Sequence, residues 1–120
     1  MDTATKEFVI TKTKELLAAP ETCQEAKDAA NAYLKAIDTP AEKEEAKKFV
    51  AEIEADITSI DGLIAFAKSD MGKSVFGGPA EAQKVVLQAE KVKADGGKYC
   101  FCHACTAIAA LLTKKAEILG

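Results

Sequence analysis

A chain of 120 residues, 48% hydrophobic and 29% charged, is long enough to bury a core and too apolar to remain disordered. Its formal net charge is −3 and all sixteen of its basic residues are Lys, so it has no broad basic field and none of the planar guanidinium forks that grip phosphate and guanine edges, which argues against nucleic acid as its main partner. No apolar run reaches the length of a membrane span and no signal-like apolar core opens the chain, so the expectation is a single cytosolic domain over residues 1–120 with no membrane partner.

The first helical pattern runs from Thr3 to Ala18, with Phe8/Val9, Thr13 and Leu16/Leu17 on one face. Pro20 ends it, because proline disfavours helical geometry in the residue before it. Thr22-Cys23-Gln24-Glu25 reads as a capping box with Thr22 as N-cap and Glu25 reaching back. The second helix then carries Ala26, Ala29/Ala30, Tyr33/Leu34 and Ile37. Cys23 falls in its first turn, at the positive end of the dipole, where thiolate is favoured. Thr39-Pro40-Ala41-Glu42 starts a third helix with Pro at its first position.

The stripe Ala46, Phe49/Val50, Ile53, Ile57 continues through Ile60, Leu63/Ile64 and Ala67. One long helix to Ser69 would fit this stripe. Thr58-x-x-Asp61 and Gly62 argue instead for a break near Asp56 to Ser59 and a fresh start, since an unbroken helix would be twice as long as its neighbours. Ser69 to Gly78 reads as irregular, with Val75 and Phe76 folding back onto the core. Gly78-Pro79 opens the next helix, which buries Ala82, Val85/Val86, Ala89 and Val92, and Asp95-Gly96-Gly97 stops it. The last helix, with Ala104, Ala107/Ile108, Leu111/Leu112 and Ile118/Leu119, is expected to run to the end. No strand period appears. The fold class is all-α, an antiparallel up-down bundle of five to six short helices.

Three of the four cysteines and the only histidine crowd into Tyr99-Cys100-Phe101-Cys102-His103-Ala104-Cys105. Cys102 and Cys105 are three apart at a helix entrance and share a face. Cys100 lies just before them on backbone free to wrap. Thiolate sulfur suits Zn(II), Cu(I) and iron–sulfur clusters, and a closed zinc site needs a fourth ligand. Cys23 is the first choice and His103, lodged among the other ligands, the alternative. In an up-down bundle Cys23 reaches the end that holds the cluster only if the long stripe breaks. The expected metal ligands are therefore Cys23, Cys100, Cys102 and Cys105, and the expected ion is Zn. Cys102-x-x-Cys105 also has the spacing of a thiol redox switch. A third reading is a non-catalytic module that binds an unknown protein partner. Asp56 and Asp61 flank the proposed break and read as capping residues. Gly72-Lys73-Ser74 has the tail of a phosphate loop, but Ala67 stands where that motif requires its first glycine. No nucleophile–base pair marks an enzyme.

The Cys-x-Cys-x-x-Cys entrance, together with Ile60-Asp61-Gly62-Leu63-Ile64-Ala65-Phe66-Ala67 and the turn Val75-Phe76-Gly77, resembles a group of small bacterial all-helical proteins of unassigned function, some labelled heat-shock or chaperone. The resemblance implies an all-helical fold and supplies no catalytic residues. A chain of this length with no nucleotide motif does not fit an ATP-driven chaperone.

Overall fold

The structure is a computed structural model that describes all 120 residues, Met1–Gly120. It contains eight helices and no strand: α1 (Thr3–Ala18), α2 (Gln24–Ala36), α3 (Glu42–Asp56), α4 (Ile60–Lys68), α5 (Asp70–Val75), α6 (Pro79–Ala94), α7 (His103–Leu112) and α8 (Lys115–Leu119). The all-α class expected from the periodicity is what forms. The stripe between residues 40 and 70 breaks as the capping signals indicate: α3 ends at Asp56 with Ile57 extended, and Ser59 caps α4 by accepting from the Gly62 amide. Two short helices exceed the expected count. Ser69 accepts from the Gly72 amide and starts α5 inside the stretch read as irregular. The last apolar pattern is interrupted after Leu112, where Thr113 and Lys114 turn the chain into α8. Neither Asp56 nor Asp61 caps a helix: Asp56 is the last residue of α3, and Asp61 pairs with Lys93 at 2.7 Å.

The chain forms two compact units, residues 1–57 with 102–120, and residues 58–101. In the first, α1 packs on α2 and α7, and α3 packs on α2, α7 and α8. The stripe expected on α1 is buried as Val9, Thr13 and Leu16. Thr13 enters the core because its hydroxyl donates back to the Val9 carbonyl at 2.7 Å, which leaves no unmet polar group. Tyr33 of α2 stacks on Phe49 of α3, ring centroids 5.2 Å apart. Burial carries the Tyr33 hydroxyl into the core without a hydrogen-bond partner and, aided by the Glu42 charge, pushes its pKa up to about 12. Burying an apolar side chain such as Phe49 contributes about 1.5–3 kcal/mol, whereas the unpartnered Tyr33 hydroxyl takes back about 1–3 kcal/mol. The capping box at Thr22 does not form. The Thr22 hydroxyl turns inward and donates to the Leu16 carbonyl at 2.6 Å, so Cys23 becomes the N-cap of α2. The Leu16 carbonyl, which also accepts from the Ala19 amide at 3.2 Å at the end of α1, has captured the hydroxyl that local sequence assigned to the next helix.

In the second unit α4, α5 and α6 pack on one another around Ile60, Leu63 and Ala89. Phe76 folds back as expected and meets Phe66 edge-on, centroids 5.9 Å apart. Val75 does not: it stands 64% exposed, as Met71 does at 70%, because α5 is helical and carries residues 71 and 75 on its outer side. The inner side of α5 approaches α4 so closely that a Cβ on Gly72 would lie 1.8 Å from the Phe66 carbonyl oxygen. Only a residue without a Cβ allows that approach. Gly72→Ala must push α5 off α4 and is expected to cost about 1–3 kcal/mol of stability, read as a lowered urea midpoint. An unchanged midpoint would show that α5 is not held in this position.

Candidate metal centre

The stretch that carries the cysteines is built by a sequence of local stops. Gly96 adopts φ +93°, and the Gly97 amide donates to the Val92 carbonyl at 2.8 Å, closing α6. The chain then runs back beside the start of α4. The Ile60 amide donates to the Lys98 carbonyl, and the Cys100 amide to the Thr58 carbonyl, each at 2.8 Å. An isolated bridge pairs Ser59 with Tyr99. Cys100 is therefore fixed at the backbone, with its side chain against the Ile60–Leu63–Ala89 cluster. Phe101 packs there too, while Tyr99 is 41% exposed.

Cys102 has φ −65° and ψ 163° and is the N-cap of α7. Its sulfur accepts from the Cys105 amide at 3.3 Å, taking the place of the Ser, Thr or Asp oxygen usual at that position. A second amide of the first turn, that of Ala104, donates to Glu21 Oε1 at 3.0 Å. Glu21 comes from the loop between α1 and α2 and also lies 3.6 Å from His103 Nδ1. Two of the four amides that a helix start leaves open are thus answered, one by sulfur and one by carboxylate.

The sulfurs of Cys100, Cys102 and Cys105 all lie within 4.8 Å of one another. Their proximity is a local property of six consecutive residues, with the N-cap turn bringing Cys102 over the first turn of α7. Cys100 and Cys102 are half-buried, and Cys105 is buried at 5% exposure. Zn–S bonds of about 2.3 Å put the sulfurs of a tetrahedral site about 3.8 Å apart, so small side-chain rotations gather these three around one ion. His103 is not among the group. Its side chain is 84% exposed and turned to Glu21. A cleft of about 460 Å³ adjoins it, floored by Ala18, Ala19, Pro20 and Ala107, and none of the cysteines lines it.

Cys23 keeps different company. Its sulfur lies 3.5 Å from Asp56 Oδ2 and forms a second group with Asp56 and Glu52, again within 4.8 Å. Glu52 and Asp56 are one turn apart at the end of α3, and the packing of α2 on α3 brings Cys23 to them. The thiolate expected at Cys23 from its helix position is disfavoured. The Ala26 amide works toward it, but burial and the Asp56 and Glu25 carboxylates together push the Cys23 thiol up. The Glu52 carboxyl is also raised, first by the hydrogen bond it shares with Asp56, then by burial and by the Asp56 and Glu25 charges. Sequence reading missed Glu21 altogether, since its partner amide is 83 residues away and nothing local marks it. The Glu52/Asp56 pair was visible as a one-turn spacing, but only the packing of α2 on α3 adds the sulfur.

No helix is long and apolar enough to cross a membrane. No family model matches the chain, and no curated protein or solved structure is significantly similar to it. Fold and site together define a helical protein with a three-cysteine cluster compatible with a metal ion.

Because less thiolate is present at a given pH when the thiol is pushed up, Cys23 should be alkylated by iodoacetamide more slowly than a cysteine in an unstructured peptide at neutral pH. Asp56→Asn should speed it. Peptide-resolved mass spectrometry measures both, and a wild-type rate at or above the peptide's would contradict this electrostatic account.

Proposed function

We propose that the protein binds a thiophilic divalent metal ion, Zn2+ before others, through the thiolates of Cys100, Cys102 and Cys105. The observation that carries this reading is the mutual approach of the three sulfurs within 4.8 Å. Soft sulfur donors select zinc, copper(I) and iron–sulfur clusters over magnesium or calcium. The Cys105 amide that bonds the Cys102 sulfur is an outer-sphere donor of the kind that orients a ligand and tempers its charge. The fourth position of a tetrahedral ion is left for water or a donor from outside the cluster. Cys23, the fourth ligand suggested by sequence, groups with Glu52 and Asp56, so the proposal rests on three sulfurs.

Metal held this way adds its binding energy to the stability of the folded chain. Thiolate ligation needs reduced cysteines, so the reading carries with it a reducing compartment such as the cytosol.

Titration of the reduced, tag-free protein with Co2+ should produce intense sulfur-to-cobalt charge-transfer absorption that saturates at one ion per chain and is displaced by Zn2+. Cys100→Ser and Cys102→Ser should each weaken binding by more than the roughly 10–100-fold that follows loss of an outer-shell partner. Cys23→Ser should leave it unchanged. Absence of charge-transfer absorption would overturn the proposal, and a loss at Cys23→Ser equal to the others would return Cys23 to the ligand set.

A further inference from the structure

We infer that Cys102 and Cys105 form a dithiol that exchanges with small-molecule disulfides, and that closing their own disulfide disarms the metal site. The second half rests on the metal-binding reading; the first does not. The Cys102 sulfur already lies over residue 105, bonded to its amide at 3.3 Å, and the two sulfurs are within 4.8 Å. A disulfide needs them about 2.05 Å apart. Cys102 is extended at the N-cap and not helical, so side-chain rotation can bring its sulfur inward without unwinding α7. The two thiols also differ in access. Cys102 is half-buried and open to attack on a reagent, whereas Cys105 is buried, the arrangement of an attacking and a resolving thiol.

The chemistry balances with a small disulfide, RSSR, as oxidant. The Cys102 thiolate attacks one sulfur of RSSR. The S–S bond breaks, one RS− leaves, and a mixed disulfide forms on Cys102. The Cys105 thiol gives its proton to the departed RS−, and the resulting thiolate attacks the Cys102 sulfur. The second RS− leaves and takes up the proton that Cys102 originally gave to solvent. Two protein thiols are oxidised to one disulfide and RSSR is reduced to two RSH. Cys100 is left as the single remaining thiolate, too few to chelate an ion.

The metal-free protein would be equilibrated in mixtures of oxidised and reduced glutathione, quenched with acid and weighed intact, then fragmented. The expected result is loss of two hydrogens with the cross-link between Cys102 and Cys105, retained in Cys100→Ser and abolished in Cys102→Ser. The latter should fold, since serine is itself a favourable N-cap. Zn2+ added to the oxidised form should not bind, and should bind again after reduction. A mass unchanged in fully oxidised glutathione, a glutathione adduct that accumulates without resolving, or a cross-link that requires Cys100 would each overturn the exchange. Disulfide formation in a protein that takes no Zn2+ in either state would support the exchange while overturning the metal-binding reading.

Discussion

The hydrogen bond from the Cys105 amide to the Cys102 sulfur is the contact on which the rest of the centre depends. A helix start leaves amides that must find an acceptor, and oxygen side chains meet that need better than a thiol, whose sulfur is a weak acceptor. Placing sulfur there costs capping strength unless the sulfur carries negative charge, which the helix end then stabilises. An N-cap cysteine is therefore a conditional cap. Glu21 supplies an oxygen acceptor one amide earlier.

Cys100 arrives by a different constraint. The glycines after α6 reverse the chain, and two backbone hydrogen bonds, Ile60 to Lys98 and Cys100 to Thr58, tie the stretch before the cluster to the start of α4. Those bonds use peptide groups alone, so the position of Cys100 survives changes in its neighbours' side chains. One cysteine is placed by backbone pairing, one by capping and one by the helical repeat. These three independent devices converge within a few residues.

What was legible in the sequence is what local physics decides. The bounds of α1, the start of α6 at Gly78-Pro79 and the break after Asp56 follow from proline, glycine and apolar spacing, and all appear. The three-cysteine group was legible because residues 100, 102 and 105 cannot lie far apart. Elsewhere, partners or packing outside the local motif decided the outcome. Thr22 left its capping box for the Leu16 carbonyl. Val75 is outside because Ser69 nucleates a helix whose inner side is taken by Gly72 and whose end turns Phe76 inward. Cys23 met Asp56 and Glu52 through the packing of α2 on α3, which no spacing in the sequence announces.

X-ray absorption at the zinc edge of the reduced, zinc-loaded protein tests the central claim most directly. The account predicts a first shell of three sulfurs at about 2.3 Å and one lighter donor. A shell of nitrogen and oxygen donors without sulfur would contradict it.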